Sequence, residues 1–282
     1  MKSTLVLGIS TARDNIKQIQ PLLESARDFD QIIICHQSFE EKAATEAALF
    51  AIAPFLERYL DRMTLIRQAG KGLARSRNAI LKACPEDVWL VPTDDDILLH
   101  PKAASSILTA IKATQNAGVI AFKAYSDPEG NVLYKNTYKE HTFRHTRFSI
   151  RSISSIEIIV NVLLARQKHV VWDERFGLGA KFGGGLENVF LQNVYDADLS
   201  IYYWPALLCY HPAESSGAIF DERKAYIRGA VAVRTLGTLF ALFLAIVTTL
   251  RHRNRIRKHT KSFSYFRSFL RGGLDFLRTK NS

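Results

Sequence analysis

The chain has 282 residues, 47% of them hydrophobic and 23% charged, which excludes a disordered or fibrous protein and fits one large domain or a domain with an appendage. The formal net charge is +11, and Asp221–Ser282 carries 14 of the basic residues against three acids, Asp221, Glu222 and Asp275, leaving the first 220 residues neutral. A neutral body with a basic tail points to a polyanionic surface as the tail's partner. Cys35, Cys84 and Cys209 have no metal-type spacing and read as small apolar residues in a reducing compartment. The N-terminal apolar run is too short for a signal peptide and reads as a first strand, with the body expected in the cytosol.

Thr4–Ser10 is an apolar run of the kind that forms a buried parallel strand. Ala12–Phe29 predicts a helix, Gln31–Cys35 a second strand, and Phe39–Tyr59 a helix interrupted by Pro54. Met63–Arg67 predicts a third strand, Gly72–Ala83 a helix, and Val88–Pro92 a fourth strand ending at three aspartates. A helix over Lys102–Ala117 and a strand over Gly118–Phe122 follow. Tyr125–Thr146 is polar and aromatic, with a turn at Asp127–Asn131. Further helix and strand fall near Ser152–Arg166 and Tyr195–Trp204. Alternating strands and helices imply an α/β sandwich of three layers.

Four segments carry chemistry. Thr93-Asp94-Asp95-Asp96 follows an apolar strand, where open α/β sheets bind ligands. Adjacent carboxylates repel one another, and alternate side chains share a face, so Asp94 and Asp96 suit one Mg²⁺ or Mn²⁺ bridging to phosphates. The plainer reading is a solvated acidic turn. Gly70-Lys71-Gly72 opens the helix bearing Arg75, Arg77 and Asn78. This is either an anion-binding helix N-terminus aided by the two arginines or an ordinary strand-to-helix turn. The glycine-rich stretch Phe176–Gly185 leads to Glu187 at a helix start, either a general base or a charge favoured by the helix dipole. His211 follows the strand-like Ile201–Leu208, either completing a metal shell or hydrogen-bonding at a strand end.

In order, LARSRNAIL, VWLVPTDDDILL, FGLGAKFGGGLENVFL and His211 resemble a family 2 glycosyltransferase of the bacterial surface-polysaccharide type, over roughly residues 1–220. The resemblance implies a GT-A fold, a mixed, mostly parallel sheet within three α/β/α layers. It implies Asp94 and Asp96 as the metal and nucleotide-sugar site with Asp95 beside them, His211 near the metal, and Glu187 as catalytic base. Thr11, Arg75, Arg77 and Asn78 join Asp94 and Asp95 as expected donor contacts. Two departures stand out. Leu186 replaces a frequent acid, and Cys35-His36-Gln37-Ser38 replaces an aspartate-bearing segment, leaving UDP as the default nucleotide only. The expected reaction is an inverting, hexosyltransferase-like transfer using a divalent cation, Mn²⁺ or Mg²⁺. A nucleotidyltransferase would want a glycine signature after the first strand, which Gly8-Ile9-Ser10-Thr11-Ala12 lacks.

From residue 221 the tail is basic, then apolar, then very basic. Thr235–Leu250 is a 16-residue uncharged run, short of the ~20 residues a spanning helix needs. Basic residues on both flanks favour an in-plane or re-entrant helix over a span. Phe263, Phe266, Leu270, Leu274 and Leu277 recur at helical spacing among Arg267, Arg271 and Arg278, a second face suited to anionic lipid. The expected domains are 1–220, catalytic, and 221–282, membrane-associating helices, at the cytoplasmic face of the plasma membrane. The expected acceptor is a lipid-linked glycan, with no nucleic acid as partner. The competing reading is a non-catalytic membrane-surface or nucleic-acid binder with a degenerate nucleotide-binding body.

Overall fold

The computed structural model describes residues 3–38, 42–127, 129–130, 132–212 and 219–280. They form two units: Met1–Trp172 with Phe190–Ala213, and Asp173–Val189 with Glu214–Ser282. The glycine-rich stretch before Glu187 is grouped with the tail.

The first unit holds β1 (Thr4–Ala12), β2 (Gln31–Ser38), β3 (Met63–Ala69), β4 (Val88–Asp94), β5 (Leu98–Leu99), β6 (Ala117–Tyr125), β7 (Phe143–Arg144), β8 (Ile158–Asn161) and β9 (Ser200–Tyr210). They make one sheet of order β3-β2-β1-β4-β8-β6-β9-β5, with β7 beside β9. The long ladders, β1 with β2 and β4, β2 with β3, and β6 with β9, are all parallel. The short ladders, of β8 with β4 and β6 and of β9 with β5 and β7, are antiparallel.

Its helices are α1 (Gln20–Ser25), α2 (Lys42–Leu56), α3 (Leu73–Ala83), α4 (Ala103–Ala113) and α5 (Val162–Gln167). Alternation along the strands sets the layers. Leu5, Leu7, Ile9, Ile32, Ile34, Trp89 and Val91 join Leu22, Leu23, Ile52, Leu56 and Ile107 in one core, so α1, α2 and α4 cover that face. α3 covers the other face. A Cβ on Gly8 would lie 2.6 Å from Ile80 Cγ2 and 2.7 Å from Leu90 Cδ1, so only glycine lets α3 approach β1 this closely. Arg166 of α5 closes the carboxyl end of α3, its Nη2 donating to the carbonyls of Leu81 (2.6 Å) and Cys84 (2.6 Å). Cys35, Cys84 and Cys209 are buried free thiols.

Several expected elements are divided. The helix expected over Ala12–Phe29 is a 3-10 turn, Arg13–Gln18, followed by α1. β1 runs on to Ala12, and Pro21 near the start of α1 has no N–H to continue an earlier helix. α2 carries Pro54 and tightens into the 3-10 turn Glu57–Tyr59, while residues 39–41 lie outside the described residues. Ser152–Arg166 resolves into 3-10 turns, β8 and α5. The Asp127–Asn131 turn closes through Gly130 N donating to Asp127 O, 3.2 Å, with Pro128 and Asn131 outside the described residues.

The second unit consists of the first turn of α6 (Leu186–Asp196) with α7 (Glu222–Leu236), α8 (Thr238–Arg251), α9 (Arg253–Ile256) and α10 (Ser262–Lys280). α7 and α10 cross almost backbone to backbone: a Cβ on Gly229 would fall 1.8 Å from Phe269 O, and one on Gly272 1.8 Å from Tyr226 O. Phe276 continues this seam against Phe176 and Phe182, at ring-centroid distances of 5.7 and 6.1 Å. The buried face of α10 is thus Tyr265, Phe269, Gly272, Gly273 and Phe276. The stripe read from the sequence as a separate apolar face is split. Phe263 and Leu274 are exposed, whereas Phe266 and Leu270 pack against the core of Phe220, Tyr265 and Phe269. Among the described residues, no helix is long and apolar enough to cross a membrane.

Candidate active site

The sheet brings three candidate segments to one edge. β4 runs parallel to β1 with Asp94 opposite Ser10, so Asp94–Asp96 leave the sheet beside Thr11 at the carboxyl ends of both strands. The amino end of α3 is tied to the same edge. Gly70 N donates to Ser38 O (2.7 Å), Gly72 N to Gln37 Oε1 (2.7 Å), and Ser76 Oγ to Ser10 Oγ (2.9 Å). Gly72 sits at φ 144°, a backbone region open to glycine. At the end of β2, His36 is buried, and that burial pushes its imidazole below the usual histidine range.

The basic residues of α3 divide by role. Arg75 is exposed, its stem lying over Gly72. Arg77 is 1% exposed and its Nη2 meets Asp94 Oδ1 at 3.1 Å. Asn78 clamps the chain elsewhere: its Nδ2 donates to Trp172 O (2.9 Å) and its Oδ1 accepts from Trp172 N (2.9 Å).

The carboxylates differ in the same way. Asp95 is partly buried, and that burial pushes its pKa above the usual carboxylate range, with Asp94 and Asp96 adding repulsion while Thr11 and Asn15 oppose it. Asp96 is exposed and faces His211, Oδ2 to Nε2 3.5 Å. Each favours the other's charge: His211 holds Asp96 below the usual range, and Asp96 raises His211. The His211 backbone N–H donates to Tyr125 O (3.0 Å), and the Tyr134 ring stands edge-on to the imidazole at 5.8 Å.

Asp94, Asp96 and His211, the expected metal ligands, have different partners. Among the described residues, no three histidine, cysteine or acidic side chains come together as a metal cage. A buried guanidinium needs a counter-charge, and Arg77 takes Asp94, leaving Asp96 with His211. An exposed carboxylate beside an imidazole is still a donor set that suits Mg²⁺ or Mn²⁺, ions that complete their shells with water and substrate phosphate.

The polar, aromatic stretch after β6 holds a network the sequence motifs did not reveal. Glu157 is 2% exposed and accepts from Tyr138 Oη (2.6 Å) and Lys135 Nζ (2.8 Å). With His145, Ser152 and Tyr203 these residues line a small cavity of about 40 Å³. The only sequence signal was the density of Lys, Tyr and His between Tyr125 and Thr146.

In the second unit, Glu187 occupies the first turn of α6, directly after Gly183-Gly184-Gly185. Gly185 has φ 74°, and a Cβ there would lie 2.3 Å from Val231 Cγ2. The glycines thus let the turn before Glu187 lie flat on α7, with Glu187 half-buried at a helix N-terminus.

An α/β sheet with an acidic segment and a helix N-terminus at one strand edge is the class of fold that holds nucleotides outside the carboxyl ends of its strands. The family model for "Glycosyl transferase family 2" matches residues 11–170, more than half of the chain. The chain belongs to that family, which makes it a glycosyltransferase. The match contains Thr11, Arg75, Arg77, Asn78 and Asp94–Asp96, and stops before Glu187 and His211. The fold is similar to that of Staphylococcus aureus TarS 1–349 in complex with UDP-GlcNAc, with TM-score 0.63 and 16% identity over 90% of this chain and 74% of that one. TarS 1–349 alone gives TM-score 0.58 and 13% identity over 90% and 73%. The mannosyltransferase PcManGT of Pyrobaculum calidifontis, in complex with GDP-Man and Mn²⁺, gives 0.54 and 13% over 100% and 76%. No curated protein matches the chain by sequence.

Proposed function

We propose that the chain transfers a sugar from a nucleotide diphosphate donor, UDP-linked by default, to a hydroxyl of a lipid-linked glycan, with inversion, at the cytoplasmic face of a membrane during surface-polysaccharide assembly. The observation that carries this reading is the Asp94–Asp96 segment at the carboxyl end of β4, inside the family match and beside the amino end of α3. The solved neighbours, bound to UDP-GlcNAc or to GDP-Man with Mn²⁺, support the donor class and the use of a divalent cation.

In this reading Asp94, Asp96 and His211 would hold the cation, with Asp95 beside them on the donor side. A cation held there would neutralise charge on the departing diphosphate. Thr11 and the exposed Arg75 bind and orient the donor. Arg77 fixes the carboxylate of Asp94, and Asn78 fixes the backbone at Trp172. Glu187 takes the proton of the acceptor hydroxyl, whose oxygen bonds to the anomeric carbon as the bond from that carbon to the phosphate oxygen breaks. The new bond forms on the face opposite the leaving group, which inverts the anomeric centre.

Glu187→Gln tests the assignment of the base. Turnover with a supplied donor and acceptor falls by ~10²–10⁴-fold, while calorimetric donor binding stays unchanged. Unchanged turnover removes Glu187 from the chemistry.

A further inference from the structure

The second unit carries a helix built the wrong way round for water. α8 packs inward through Ala241 and Ala245, both buried in the core with Phe220, Ile256, Tyr265 and Phe269. Its large apolar residues point outward: Leu239 is 84% exposed, Leu250 70%, Phe243 63% and Phe240 61%, with Leu242 and Ile246 about half exposed. Leu239, Leu242, Phe243, Ile246 and Leu250 follow the spacing of a single helix face. A surface helix in water shows the reverse pattern, since burying large apolar side chains is favourable. Inward alanines and outward leucines and phenylalanines leave a continuous apolar face unused by the fold.

The charge beside that face says what covers it. No charged residue interrupts Thr235–Leu250, and the carboxyl end of α8 opens directly onto Arg251, Arg253, Arg255, Arg257 and Lys258, all exposed. Between α9 and the start of α10, Arg253, Arg257, Lys258, His259 and Lys261 line a hollow of about 520 Å³ together with Thr260 and Ser262. Glu222 accepts from Thr260 Oγ1 of this basic segment at 2.7 Å. An apolar face against a basic rim matches a bilayer surface with acyl chains beneath anionic headgroups, which attract each Lys and Arg near them. A second copy of the chain fits less well, because an apolar face alone would leave the basic hollow without a counter-charge.

We propose that α8 docks the protein on an anionic lipid surface, lying in the plane of the interface with Leu239, Phe240, Leu242, Phe243, Ile246 and Leu250 in the acyl boundary and the Arg253–Lys261 hollow on a lipid phosphate. At 14 residues, α8 is about 21 Å long, too short to span the hydrocarbon core. This gives the membrane face of the proposed enzyme a specific surface, and it stands independently of the donor site.

The test is flotation of the full chain with vesicles of phosphatidylcholine containing about a third phosphatidylglycerol, compared with phosphatidylcholine alone. The full chain floats with the anionic vesicles at least ten times better than with the neutral ones, and high salt weakens the binding. Phe240→Ser with Phe243→Ser, both at exposed positions, lowers binding at least ten-fold with an unchanged melting temperature. Arg253→Glu with Arg257→Glu removes the preference for anionic lipid. Absence of the wild-type chain from floated anionic vesicles overturns the proposal, as does equal flotation of the phenylalanine double variant. A dimer in solution that the phenylalanine substitutions dissociate, without vesicle binding, assigns the face to a second copy and also overturns it. Calorimetric donor binding by the same variants separates a failure here from a failure of the glycosyl-transfer reading.

Discussion

Arg77 Nη2 and Asp94 Oδ1 lie 3.1 Å apart, the arginine side chain 1% exposed and the carboxylate 32%. The asymmetry decides which half of the pair the fold depends on. Without Asp94, a buried guanidinium loses this carboxylate. Without Arg77, a part-exposed carboxylate can still hydrate. Asp94→Ala is therefore expected to cost about 3 kcal/mol in urea unfolding, and Arg77→Met measurably less. Equal costs would mean that burial does not control the pair.

Asp96 is the first cause of the raised affinity of His211 for its proton. Replacing it by asparagine removes the charge and leaves only a neutral carbonyl acceptor for the imidazole. An NMR titration of the His211 ring in the Asp96→Asn variant is expected to show a lower pKa than in the parent chain. A value unchanged or raised would place the control of His211 elsewhere.

His145 predicts an acid-side loss of stability. It is 6% exposed with Nδ1 2.9 Å from Ser149 Oγ, and burial lowers its pKa to about 4. Between that value and the unfolded 6.5, the unfolded chain binds more protons than the folded one, so stability falls as pH drops through this window. The contribution is at most about 3 kcal/mol. His145→Gln is expected to flatten the slope of unfolding free energy against pH there, and an unaltered slope contradicts the assignment.

Arg166 donates to the Leu81 and Cys84 carbonyls, each at 2.6 Å, and so satisfies the open end of α3. Arg166→Ala leaves those acceptors without their charged donor and is expected to cost about 1–3 kcal/mol in chemical denaturation. No change in stability would show that solvent replaces the arginine.

The parallel strands were legible because β1, β2 and β4 are apolar on both faces, and a both-faced apolar run has few other solutions. The acidic trio was legible because its place after β4 is a chain-order property. What stayed hidden depends on partners distant in sequence. β8 has four residues and is antiparallel between two parallel runs, so no local pattern marks it. The Arg77–Asp94 pair spans a helix and a strand, and an arginine in LARSRNAIL looks like a solvent-facing base until the helix face is known. The α7–α10 seam was missed for a related reason. Its closest points are Gly229 and Gly272, which carry no apolar signal, so hydropathy spacing selected Phe263, Phe266, Leu270, Leu274 and Leu277 instead of the buried Tyr265, Phe269 and Phe276.

The most direct measurement is calorimetric titration of a panel of nucleotide-sugars, UDP- and GDP-linked, into the wild-type chain and Asp96→Asn, with Mn²⁺ and with chelator. The account predicts that at least one donor binds with Mn²⁺, and that chelation or the substitution weakens it by ten-fold or more. Donor binding indifferent to both changes, or no binding across the panel, would contradict it.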